Sequence, residues 1–443
     1  MLQTFKPLLL VLVIIGLVLS ACGPTVTPTP DVDPDPQAQD APTPTPVPGV
    51  GGAHLSLVQS DVPRETAPAV SAAALSEANR AFALDLYQAL RAEEGNLFYS
   101  PYSISTALAM AFAGADGATR QQMADALRFT LAPDAVHPAF NALDLSLTSP
   151  GGEDTFRLNV ANALWAQADY DFLASYLDTL AMHYGAGVRL ADFTQDATRE
   201  EAREAINAWI SDQTEGKIEE LLQRDGLSAD SRLVLLNAIY FKGEWVTPFD
   251  GGLDIDFALL DGDRVSVPAM SRRVQTPYVV GDGFEAFALE YKGERARMVV
   301  LVPDVGTFDK FEQALDADWL AEIMADLQPT DVQVTMPTFE FDSRFALRDA
   351  LVSLGMADAF APGTADFSGM DGTRDLFIQS VVHQAYVAVD EEGTEAAAAT
   401  GITVGIVSMP MNTITVDRPF IFAIHDVETD TLLFVGRVVN PLE

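Results

Sequence analysis

Residues 391–408 read EEGTEAAAATGITVGIVS, from Glu391 to Ser408. Two acids and a glycine lead into small residues, then β-branched ones, then Ser408. Local propensity is divided, because Ala396, Ala397, Ala398 and Ala399 favour helix while Ile402, Thr403, Val404, Ile406 and Val407 favour strand. At period two the run becomes coherent. One face carries Thr394, Ala396, Ala398, Thr400, Ile402, Val404 and Ile406, all small or apolar. The other carries Glu395, Ala397, Ala399, Gly401, Thr403, Gly405 and Val407, with its only charge at Glu395. Such a segment can bury one face as a strand, yet nothing in it demands strand until a sheet accepts it. A stretch able to be loop or inserted strand is a candidate switch.

Around this stretch, the chain has 443 residues and 48% hydrophobic content, enough for one large or two smaller domains. Its net charge is −38, from 64 acids against 26 basic residues. This argues strongly against nucleic acid as a partner, since phosphate contacts need concentrated Lys and Arg. The acidity reads as a solvated surface, in keeping with an exterior protein or a salty setting.

The amino terminus predicts export. Lys6 precedes an unbroken apolar run over residues 8–19, too short to span a bilayer and suited to a signal core. Leu19, Ser20, Ala21 and Cys22 follow, and resemble a bacterial lipobox. That resemblance implies cleavage before Cys22, acylation there, and anchoring on the outer face of the cell membrane or outer membrane by more than one acyl chain. Cys22 is the single cysteine, so the rest of the chain has no disulfide, thiol nucleophile or Cys-based metal site. Residues 23–52 hold nine Pro and four Asp. They predict a disordered, semi-rigid tether reaching at most roughly 90 Å at ~3.1 Å per residue. Asp31, Asp33 and Asp35 have a superficial calcium-loop look, but Pro36 stands where glycine is needed and no Glu closes the loop.

Signals for catalysis are absent. The chain has no HExxH, no GxSxG elbow and no GxxxxGK phosphate loop. His54, His137, His183, His383 and His425 are scattered, none with a second His or Cys at ligand spacing. His383 lies in an apolar run and reads as a satisfied core histidine. Neither an enzyme, a cofactor nor a metal is expected.

Apolar periodicity predicts helices over residues 67–91, 103–113, 119–127, 198–213 and 308–326. Strand-like runs occupy 157–166, 233–241, 296–302, 332–341, 377–389, 413–416, 420–425 and 432–438. Helices come mostly early and strands mostly late, which predicts an α+β fold.

Several segments, in order, resemble the serpins: NLFYSPYSIS at 96–105, GADGAT at 114–119, INAW at 206–209, LNAIYFKGEW at 236–245, MPTF at 336–339, DRPF at 417–420 and FVGRVVNP at 434–441. The resemblance divides the chain into a signal at 1–21, a lipidated tether at 22–68 and a serpin domain at 69–443. It implies about nine helices, three β-sheets and an exposed reactive loop. It also implies a monomer that acts as an irreversible inhibitor. A serine protease cleaves the loop and is held as an acyl-enzyme while the loop inserts into the main sheet.

On that resemblance Glu391, Glu392, Gly393, Thr394, Glu395, Ala396, Ala397, Ala398, Ala399 and Thr400 form the hinge. The inward side chains Thr394, Ala396, Ala398 and Thr400 are small and uncharged, so they oppose insertion little, whereas a charge there would be costly to bury. Gly393 is expected to supply backbone freedom. Family spacing places fifteen residues from Gly393 to the residue before the scissile bond, making Val407–Ser408 the reactive bond. Fifteen extended residues reach roughly 50 Å. Val407 is small and neutral, which suits the shallow pocket of elastase-like proteases. Counting back from Pro419 leaves one extra residue, so Ser408–Met409 is the alternative bond. Ser100, Ser103, Asn237 and His383 map by resemblance to the polar network where the central strands part, and Trp245 to the top of the sheet. A serpin-fold binding or chaperone protein without inhibitory action is the competing reading. Mass spectrometry of loop fragments after protease challenge is expected to find cleavage after Val407; fragments ending elsewhere than Val407 or Ser408 would refute the register.

Overall fold

A computed structural model of the chain describes residues 45–46, 55–66, 72–148, 156–394 and 412–443. The expected signal, Cys22, most of the tether, hinge residues 395–400 and the bonds at Val407 and Ser408 lie outside the described residues. The first elements are β1 (Thr45–Pro46), β2 (Leu55–Val58), α1 (Ala73–Leu90), β3 (Leu97–Tyr99), α2 (Pro101–Phe112), α3 (Gly117–Ala126) and α4 (Pro133–Thr148). Next come β4 (Arg157–Gln167), α5 (Ala174–Tyr184), β5 (Val188–Ala191), α6 (Asp196–Gln213), β6 (Leu233–Glu244), β7 (Asp250–Ala258) and β8 (Arg264–Gly281). Then follow β9 (Phe284–Glu290), β10 (Ala296–Pro303), α7 (Phe308–Ala314), α8 (Ala317–Asp326), β11 (Gln328–Pro337), β12 (Phe339–Ala346), α9 (Arg348–Ser353) and α10 (Ser368–Asp371). The chain closes with β13 (Ile378–Val389), β14 (Gly393–Thr394), β15 (Asn412–Thr415), β16 (Phe420–Asp426) and β17 (Thr431–Val438).

Two expected elements divide. The run 308–326 becomes α7 and α8, because Leu315 turns extended and the Asp316 side chain caps α8 by accepting from the Trp319 N–H at 2.8 Å. The run 332–341 becomes β11 and β12, which belong to different sheets. Between them the Thr338 N–H donates to the Pro268 carbonyl at 3.0 Å. The apolar pattern marks no helix over 133–148, where α4 forms with Pro138 inside it.

The strands join into two networks. One has eight strands in the order β1-β2-β5-β4-β6-β14-β13-β12. The other has nine and is threaded by β8, whose first part pairs with β7 and β11 and whose last residues pair with β9. Counting the two lobes of β8 separately yields the three sheets expected.

Strand β6 is central, and its burial explains its composition. Leu233, Leu235, Ile239 and Phe241 enter the main core, while Val234, Leu236 and Ala238 meet Ala202, Ile206 and Ile210 of α6 on the opposite face. A strand covered on both faces needs a near-continuous apolar run rather than alternation. Helix α2 shows the same logic. It is capped by Ser100, starts at Pro101, and every one of its residues is buried. Its first turn lies beneath β4 and β6, and so brings hydroxyl groups to the centre of the sheet.

Candidate functional site: a strand slot in the main sheet

The eight-stranded sheet has a parallel pair at its middle. β6 and β13 pair directly from Leu233 opposite Ile378 up to Tyr240 opposite Tyr386. Above that point the two strands part, and β14 occupies the gap. Gly393 lies opposite Glu244, Thr394 opposite Gly243, and Thr394 also opposite Val389, antiparallel to both neighbours. The first two residues of the small-residue stretch are thus already a strand.

Backbone and side chains hold them there. The Trp245 N–H donates to the Glu392 carbonyl at 2.8 Å and the Phe249 N–H to that of Glu391 at 2.8 Å. The Trp245 indole donates to the Asp390 carbonyl at 3.0 Å and stacks on Tyr291 with centroids 4.5 Å apart. Asp390 closes an Asx turn, its Oδ1 accepting from the N–H groups of Glu392 at 2.9 Å and Gly393 at 3.1 Å. Burial pushes the Asp390 carboxyl above its usual range, with Glu391 and Glu392 adding to the push and the two backbone donors opposing it. Thr394 is 1% exposed, and its hydroxyl pairs with the Tyr291 phenol at 2.7 Å.

Gly393 has a different reason from the one expected. Its φ is not left-handed, but a Cβ there would stand 2.2 Å from the Gly243 carbonyl and 2.7 Å from the Glu244 Cα. Close approach of two backbones requires glycine here, rather than backbone freedom.

Lower in the sheet, Asn162, Asn237 and His383 form one row across β4, β6 and β13. The Ser100 N–H donates to His383 Nε2 at 3.2 Å, so Nδ1 carries the proton and donates to Asn237 Oδ1. The Asn237 amide donates to Ser103 Oγ at 2.5 Å and to Asn162 Oδ1, which also accepts from Ser103 Oγ at 3.2 Å. Ser100, Ser103, Asn237 and His383 are therefore brought together, with Trp245 at the top of the same sheet. Asn162, Tyr291 and Asp390 belong to the site and were not expected. Of these, the Asp390 to Gly393 spacing carries an Asx-turn signal in sequence, while Tyr291 carries none.

The family model for the serpins (serine protease inhibitors) matches residues 77–441. An uncharacterized serpin-like protein of Thermococcus kodakarensis is 40% identical over 81% of this chain and 84% of its own. Leukocyte elastase inhibitor A of Mus musculus is 40% identical over 83% of this chain and 99% of its own. Among solved structures, native tengpin, a thermophilic serpin, matches with a TM-score of 0.75 at 27% identity, covering 83% of this chain and 94% of its own. Thyroxine-binding globulin in complex with thyroxine matches with a TM-score of 0.75 at 30% identity, covering 83% and 100%. The fold and its slot are those of the serpins, a family of serine protease inhibitors. The chain belongs to the serpin family.

Burial lowers the His383 pKa to about 3. The folded state thus prefers the neutral ring, and the stability this contributes is full above the unfolded value of about 6.5. It is lost as pH falls from about 6.5 toward 3, with a slope of up to about 1.4 kcal/mol per pH unit. Urea titrations between pH 7 and 4 should show this slope, and His383→Asn should flatten it; an unchanged slope in that variant would place the titration elsewhere.

Proposed function

We propose that this serpin irreversibly inhibits an elastase-like serine protease, which cleaves its loop at Val407–Ser408 and is trapped as the loop inserts between β6 and β13. The observation that carries the proposal is β14: Gly393 and Thr394 already sit in the slot, antiparallel to both neighbours. Relatives named as leukocyte elastase inhibitors add support for the target class.

Continuing both registers without a slip predicts the rest of the insertion. Ala396 would lie opposite Phe241, and Thr400 would lie opposite both Asn237 and His383. The face of Thr394, Ala396, Ala398 and Thr400 would then point into the main core with Phe241 and Ile239. Glu395, the only charge on the other face, would fall opposite Lys242, a favourable cross-strand pair. Thr400 would separate Asn237 from His383 and offer a hydroxyl to the groups it parts. Each residue inserted replaces a slanted parallel ladder with two antiparallel ones, which are stronger per residue. Hydrogen bonds gained in this way, and apolar side chains buried, would drive insertion after cleavage.

The purified domain mixed with an elastase is expected to give an adduct that survives SDS. Thr394→Arg would place a charge under the sheet and turn the inhibitor into a substrate. The yield of adduct should fall by about tenfold or more, the factor set by only 1.4 kcal/mol of added burial cost. Clean cleavage with no adduct for any protease tested would sink the proposal and favour a binding serpin without inhibitory action.

We also propose that Cys22 carries the lipid anchor. The Leu19 to Cys22 sequence supports it. Cys22→Ser should move the protein from the membrane fraction to the medium; retention on membranes would refute the anchor.

A further inference from the structure

A cleft of about 660 Å³ opens beside the outer edge of β4, the edge that faces away from β6. It exists because β5 is short. β5 pairs with β4 only over residues 164–167, while β6 pairs with the opposite edge of β4 over residues 157–166. The outer edge of β4 over residues 157–163 therefore has no strand partner among the described residues. Leu158, Val160 and Asn162 of this edge line the cleft. An open edge of this kind is a template for strand addition.

A second observation concerns charge. Arg189 of β5 also lines the cleft. Its guanidinium lies 4.5 Å from the Trp209 ring centroid and 5.8 Å from that of Trp165. Its Nη1 is buried with no hydrogen-bond partner, and no described carboxylate is within ion-pair distance. Arg272 and Arg297 also have buried nitrogens without a partner, but of the three only Arg189 lines this cleft. Burial holds the guanidinium below its usual pKa, the direction expected of a cation whose charge is uncompensated.

The other charges around the cleft are engaged. Asp144 pairs with Arg64 at 2.5 Å and accepts from the Tyr102 phenol at 2.7 Å. Glu215 accepts from the Asn159 amide at 3.3 Å and lies 3.9 Å from Arg157. Asp212 accepts from the Gln213 amide at 3.3 Å. Three acids beside one uncompensated cation disfavour a polyanion and leave room for a single negative charge.

We propose that this cleft binds a short extended peptide bearing one carboxylate, its backbone adding to the free edge of β4 and its carboxylate pairing with Arg189. The volume fits such a ligand, since pockets for small ligands run to about 300–1,000 Å³, and strand addition is a common mode of peptide recognition. The carboxylate meets the guanidinium in a charge-assisted pair, and the apolar walls at Leu158 and Val160 take the alternate side chains. Asn162 couples the cleft to the sheet. It stands on the same strand, and its Oδ1 accepts from both Ser103 and Asn237. A bound peptide therefore braces the strand that carries one end of the polar row.

The test uses the uncleaved chain and two probes in calorimetric titration, acetyl-Val-Thr-Val-Glu amide and its Gln counterpart. The Glu peptide is expected to bind one to one, and the Gln peptide about tenfold more weakly, the loss of one charged hydrogen-bonded pair. Arg189→Gln should weaken the Glu peptide by the same factor. Hydrogen exchange on the unaltered chain should show slower exchange at the outward amides of residues 158–163 when the Glu peptide is bound, a readout that needs no variant. The proposal is overturned if neither peptide binds, if Arg189→Gln binds the Glu peptide as tightly as the unaltered chain, or if the protected amides lie along the slot between β6 and β13.

Discussion

Parallel ladders are slightly weaker per residue than antiparallel ones, and the eight-stranded sheet has one at its centre, β6 against β13. Much of the structure around it follows from that pairing. The two strands are joined from Leu233 and Ile378 to Tyr240 and Tyr386, then part. The gap above is just filled by Gly393 and Thr394. Both outer neighbours, β4 and β12, run antiparallel to the strand they border. The centre is thus the place where an added strand improves the hydrogen bonding of the sheet rather than merely extending its edge.

The proposed insertion requires the sheet to open, and such a sheet must be closed by groups that can exchange partners. Apolar interdigitation alone would not do this, because close-packed interiors resist gradual deformation. The row Asn162, Asn237 and His383, with Ser100 and Ser103 below it, joins three strands to the start of α2. Each of these side chains has a hydrogen-bond partner, so burial costs little while the row is intact. At the top of the sheet the Tyr291 phenol satisfies the buried Thr394 hydroxyl, and the Trp245 ring covers Tyr291. Both places are polar, buried and paired.

Some of this was legible in the chain. The motifs at 96–105, 236–245 and 434–441 point to one family in order, and the small face of residues 394–406 points to an insertable strand. The α+β class and the core role of His383 also follow from sequence. The divisions of 308–326 and 332–341 were not legible, because one continuous apolar run serves two helices in the first case and two sheets in the second. Gly393 was recognised as necessary, but for the wrong reason. A sequence shows that a glycine is present; only the approach of the Gly243 carbonyl shows what a Cβ would strike.

Sequence by itself determined the chemistry of the small-residue face from Thr394 to Ile406, since side-chain size and charge at period two are properties of the chain alone. It also determined that Asp390 lies three residues before Gly393, a local relation that an Asx turn requires. Tertiary structure decided everything that depends on distant strands. Tyr291 meets Thr394 across 103 positions, and Asn237 meets His383 across 146. The outer edge of β4 is open because β5 stops after four residues. Pairings of this kind are set by which backbones lie side by side, and no local pattern encodes that.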